Sequence, residues 1–127
     1  MPNRHRGSSH RYPRTARLNE LLRQIVADEL ERLADDRLEL VTVTGVSCAP
    51  DLRQATVYLD TPEGPESDDV VLEALGELRH RLQAAVARQA RVKRTPELSF
   101  VPDPAIREAT RIEEVLRGIH QNEPGDG

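Results

Sequence analysis

A chain of 127 residues that is 37% hydrophobic, with a net charge of −4 and three aromatic side chains, is sized for one modest core and short tails. Its single cysteine excludes an intramolecular disulfide and suits a reducing cytoplasm. No apolar run approaches the ~18 residues of a membrane span, and no apolar stretch follows the Arg-rich start to make a secretory signal.

Residues 1–13 are polar and basic, and are predicted to form a disordered arm. From Arg14 to about Ala34, Leu18, Leu21, Leu22, Ile25, Val26, Leu30 and Leu33 recur at steps of three and four. This spacing predicts an amphipathic helix. Leu40–Thr61 then holds two β-rich runs joined by Ala49-Pro50-Asp51-Leu52-Arg53, which read as a hairpin. In the second run Ala55, Val57 and Leu59 alternate with Gln54, Thr56, Tyr58 and Asp60, as in a strand with one dry face. The first run changes phase between Val41/Val43 and Val46/Cys48, and the slip falls on Gly45, where a bulge is predicted. Cys48 reads as a small buried hydrophobe.

After a Pro- and Gly-rich loop, Ser67 is placed as an N-cap, with Asp68 and Asp69 in the first turn of a second helix. Val71, Leu75, Leu78, Leu82 and Ala85 give that helix its apolar face, and it is predicted to end near Arg91. Gly76 interrupts the pattern and marks a bend or a close approach. Pro96–Pro102 reads as a short strand with Leu98 and Phe100 on one face. Asp103-Pro104 then opens a last helix carrying Ile106, Ala109, Ile112, Val115, Leu116 and Ile119, predicted to close near Gly118. Residues 120–127 are assigned to a disordered tail. Three strands whose one face is covered by helices make an α+β domain over 14–119.

Catalytic chemistry has little to stand on. Nucleophile-elbow, P-loop and dinucleotide-binding motifs are absent, the four histidines are scattered, and the Asp35-Asp36 and Asp68-Asp69 pairs lie at element ends where capping accounts for them. Neither a cofactor nor a metal is expected, nor a small-molecule substrate. Charge distribution is more telling. Two acid-free segments, 1–19 and 78–96, hold eleven of the eighteen Lys and Arg residues. Arg81, Arg88 and Arg91 share one helical face, and an exposed helix kept soluble for its own sake would normally intersperse Glu. Arg79, Arg81, Arg88, Arg91, Lys93 and Arg94 are therefore the candidate phosphate contacts, with Arg14 and Arg17 as helpers. With Tyr58 the one obvious stacking platform, charge and shape should dominate, and a folded RNA fits better than a specific DNA sequence.

Several stretches in order resemble the ribosome-binding factor A family: Arg14-Thr15-Ala16-Arg17-Leu18-Asn19-Glu20, Asp36-Arg37-Leu38, Val41-Thr42-Val43-Thr44-Gly45-Val46, Asp51-Leu52 and Ala55-Thr56-Val57-Tyr58-Leu59. The likeness continues through Ala74-Leu75-Gly76, Leu78-Arg79 and Thr95-Pro96-Glu97-Leu98-Ser99-Phe100 to Asp103. The resemblance implies a type II KH-like fold in which an Ala-x-Gly kink, here Ala74-Leu75-Gly76, replaces the usual Gly-x-x-Gly loop. It further implies a monomeric cytoplasmic protein without catalytic activity. Such a protein binds the free 30S small subunit late in its assembly, near the 5′ end and the decoding region of 16S rRNA. There it promotes rRNA maturation and often matters in the cold. The stretch from Arg79 to Pro96 is roughly one helical turn longer than is usual in the family, which leaves open which of its cations face RNA. The alternatives are a KH-like RNA-binding module with no tie to ribosomes and a protein-interaction domain.

Overall fold

The computed structural model describes residues 14–62 and 64–121. The basic arm predicted over 1–13 and residues 122–127 of the predicted tail lie outside them. The elements in chain order are α1 (Arg14–Leu33), β1 (Thr42–Cys48), β2 (Gln54–Asp60), α2 (Asp68–Gln89), β3 (Glu97–Pro102) and α3 (Pro104–Gln121), with short 3₁₀ turns at Asp36–Leu38 and Pro65–Ser67. This is the predicted α-β-β-α-β-α order. Strands run β1-β2-β3 across one sheet. The hairpin pair β1/β2 is antiparallel, and β2/β3 is parallel because α2 carries the chain back across the sheet.

The dry face of the sheet is built by Val43, Val46, Ala55, Val57, Leu59 and Leu98. Leu22, Ile25 and Val26 of α1 cover it together with Val71, Ala74, Leu75, Leu82, Ala85 and Val86 of α2. The bulge sits where the phase slip predicts it. Val43 pairs with Leu59 and Gly45 with Tyr58, so Thr44 is the extra residue and both valines keep their side chains inward. Freed from the ladder, Thr44 donates its hydroxyl to Asp103 Oδ2 at 2.6 Å.

Three expectations are corrected. Ser67 does not cap α2: the 3₁₀ turn after Gly64 has already brought it to φ −94°, ψ −3°, and its hydroxyl donates backward to the Gly64 carbonyl. Gly76 is not a point of close approach: a Cβ added there would meet nothing within 4 Å, and α2 runs on through Ala74, Leu75 and Gly76. α3 does not close at Gly118 but runs to Gln121, two residues into the stretch assigned to the tail.

Nor does α3 help to cover the sheet. Asp103 caps it as predicted, its Oδ1 accepting the Ala105 N–H at 2.9 Å. Near its start Arg107 donates to Asp68 and to Thr61 Oγ1, which anchors α3 to the first turn of α2. Beyond that anchor, Ile112, Val115, Leu116 and Ile119 are between 51% and 60% exposed. Periodicity identifies a helix with an apolar face; it does not say that something covers the face.

Candidate nucleic-acid interface

The parallel register of β2 and β3 decides which loops meet. Gln54 pairs with Glu97, and the Glu97 N–H donates to the Arg53 carbonyl at 2.9 Å, so the hairpin turn and the loop after α2 lie side by side. α1 and α2 run antiparallel, which brings the first turns of α1 to the same end of the molecule. Two adjoining cavities mark this end. One, of about 280 Å³, is lined by Asp51, Arg53, Lys93 and Arg94. The other, of about 540 Å³, is lined by Arg17 and Arg91 among mainly apolar groups. Leu52 and Val92 line both.

Arg17, Arg91, Lys93 and Arg94 therefore converge from two distant parts of the sequence. All four are exposed, and none makes an ion pair among the described residues. Arg81 and Arg88 are exposed on α2. Seven residues apart, they project from one side of the helix about 10 Å from each other, leading toward the same end. Arg79 does not join them. It stands about 200° around the helix from Arg81 and pairs with Glu97 at the start of β3. Arg14 is the first residue of α1, at the basic end, but its side chain is outside the described residues.

Arg53 was not among the sequence candidates. It is exposed and unpaired among the described residues, and it stands beside Lys93 and Arg94. As an isolated cation in a hairpin turn it carries no local signal; only the pairing of β2 with β3 adds it to the cluster. Asp51, the one carboxylate among the described residues lining these two cavities, accepts the Arg53 N–H at 3.0 Å and so is occupied in shaping the turn.

The far end of α1, about 30 Å away for a 20-residue helix, is acidic. Asp36, Glu39 and Glu66 line a cavity there with Leu40 and Val70. Arg37 beside them is already committed, donating to Asp35 at 2.7 Å and to Glu77 at 2.9 Å. The bonds from the Arg37 side chain and backbone N–H hold the Asp35 carboxyl down at about 2. The described residues thus form a charge dipole, with cations unpaired among them at one pole and carboxylates at the other. A polyanion meeting it is attracted to one pole only, despite the net negative total.

Among the described residues no group of three or more His, Cys, Asp or Glu is placed to hold a metal ion. Cys48 is half-buried, and desolvation raises its pKa, the opposite of what a reactive thiolate needs. No described helix is long and apolar enough to cross a membrane.

Comparison with known proteins agrees with this architecture. The family model described as Ribosome-binding factor A matches residues 14–116. A ribosome-binding factor A from Rubrobacter xylanophilus is 44% identical over 115 residues, which cover 90% of this chain and 93% of that one. The crystal structure of ribosome-binding factor A from Thermus thermophilus superposes with a TM-score of 0.63 at 36% identity, covering 69% of this chain and 94% of that one. A homology model of the Thermus thermophilus factor, fitted into a cryo-EM map of its complex with 30S, superposes at 0.56, again at 36% identity, over 68% of this chain and 91% of that one. By extent and identity of match, the chain belongs to the ribosome-binding factor A family.

Proposed function

We propose that this protein is a noncatalytic maturation factor that binds the free 30S small subunit and its 16S rRNA during late assembly, around the 5′ end and the decoding region. The observation that carries the reading is the convergence, at one pole, of cations that make no ion pair among the described residues. Arg17, Arg53, Arg91, Lys93 and Arg94 gather there, with Arg81 and Arg88 leading toward it along α2. Family membership and the fitting of a Thermus thermophilus relative into a 30S complex support the choice of partner.

The chemistry asked of such a factor is binding alone. Cations spread over two loops and two helices can follow a bent phosphate backbone, and the pairing of β2 with β3 sets the two loops side by side. A ligand that prefers one conformation of an immature rRNA region raises the population of that conformation by its differential affinity, and processing then acts on it. The acidic pole faces away, which orients the approach and disfavours binding the wrong way round.

Cell lysate fractionation tests the partner. The protein should comigrate with free small subunits and be absent from assembled ribosomes, and its depletion should accumulate free subunits with unprocessed small-subunit rRNA. Even distribution over all ribosomal fractions would contradict the reading. A second reading, a protein-interaction domain, is favoured by the exposed apolar stripe of α3. Loss of subunit binding on replacing that stripe, with the basic pole intact, would transfer the function to it.

A further inference from the structure

We propose that the 540 Å³ cavity at the basic pole receives one unstacked base of a single-stranded RNA segment, while the surrounding cations hold its flanking phosphates. The inference rests on the RNA-binding reading above and names what that pole recognises besides charge.

The cavity has the composition that a base requires. Leu18, Leu21, Leu52 and Val92 give it apolar walls, and Arg17 and Arg91 stand among them. Leu21 is 40% exposed, so part of this apolar surface meets water when nothing is bound. Planar bases are held between apolar side chains as well as aromatic ones, which matters in a chain so short of aromatics. Gln89 and Thr15 also line the cavity and supply donors and acceptors for a base edge. The adjoining cleft with Arg53, Lys93 and Arg94 continues the positive track past Leu52 and Val92. An apolar slot with cations on both sides matches a nucleotide, which is an apolar face carried on an anionic chain. An uncharged apolar ligand would leave those cations without a purpose.

The backbone supplies an independent observation. Leu52 sits at φ +61°, in the left-handed region where Asn or Gly is at ease and a Leu side chain is strained. The turn itself is closed by the Leu52 N–H donating to the Ala49 carbonyl at 2.8 Å, a bond any residue other than proline could make. What only a large apolar residue adds is the wall shared by the two cavities. The strain is kept where the side chain meets the proposed ligand.

The test compares a short oligoadenylate with a strand of equal length and charge carrying abasic sites at alternating positions, both titrated at low salt. The wild type should bind the intact strand about tenfold more tightly, in the range that stacking a base contributes. Leu52→Asn should abolish that preference while holding or raising the midpoint of thermal unfolding, because Asn tolerates the backbone better. Leu21→Ser, at a partly exposed position, should abolish it too. Arg53→Gln should weaken both strands alike. Equal binding of both strands by the wild type would overturn the base pocket and leave the charged surface standing. Binding of neither strand would overturn the RNA reading and the pocket with it. A preference that survives both Leu52→Asn and Leu21→Ser would place the base elsewhere and refute the proposal.

Discussion

Replacing Gln83 by Met removes two hydrogen bonds at nearly constant volume and should loosen the strand that holds up the basic loop. Among the described residues β3 is an edge strand, and its outward amides have no neighbouring strand to bond. Gln83 on α2 takes that role: its Oε1 accepts the Leu98 N–H at 2.7 Å, and its Nε2 donates to the Pro96 carbonyl at 3.1 Å. Pro96 and Leu98 are both buried, so water cannot replace the lost partners without opening the edge. A net bond is worth about 1 kcal/mol, and a stranded buried donor costs about 1–3 kcal/mol. The variant should therefore lose roughly 2–4 kcal/mol, a large share of the ~5–15 kcal/mol typical of a domain. Urea unfolding measures the loss, and amide exchange at Leu98 locates it, since this amide should exchange faster than those of β2. A loss below about 0.5 kcal/mol, the level of an ordinary surface change, with Leu98 protection unaltered, would show that the clamp does not hold the strand.

Other outcomes follow from single contacts. Asp103→Ala removes both the cap of α3 and the acceptor of the Thr44 hydroxyl; it should cost about 1–2 kcal/mol and lower helical ellipticity, whereas unchanged unfolding would mean α3 needs no cap. The Asp35 carboxyl should titrate near 2 by NMR, and Arg37→Gln should move it up toward the ordinary 3.8. Because the folded-state value is the lower one, its contribution to stability is present above the ordinary value and fades as pH falls toward 2; an unmoved midpoint in the variant would dismiss Arg37 as the cause. Leu116→Glu and Ile119→Lys should shift stability by no more than about 0.5 kcal/mol, against ~2–5 kcal/mol for Leu75→Ala in the core. Losses of core size would mean the α3 stripe is covered after all.

Local pattern made much of the fold legible. The steps of three and four through Leu22, Ile25 and Val26 give α1, the alternation of Ala55, Val57 and Leu59 gives β2, and the slip at Gly45 gives the bulge. What the pattern could not give depends on contacts between distant residues. Arg79 and Arg81 look equivalent in sequence, yet the parallel alignment of β3 puts Glu97 within reach of one alone. Arg53 enters the basic pole through the same alignment. Ser67 loses its capping role because the preceding 3₁₀ turn fixes its backbone in a helical conformation. The exposed stripe of α3 has the spacing of a core helix, and spacing carries no information about what lies opposite.

The central claim is that unpaired cations at one pole, and not the net charge, hold the rRNA. Its most direct test is the salt dependence of binding to purified free small subunits, for the wild type and for two variants. Arg88→Gln, Arg91→Gln and Arg94→Gln together should reduce the slope of log affinity against log salt by roughly two to three, at ~0.7–0.9 for each phosphate no longer neutralised. Asp36→Asn, Glu39→Gln and Glu66→Gln at the acidic pole should leave the slope as it was. Parallel lines for the wild type and the arginine variant, or a change of equal size from the acidic pole, would contradict the account.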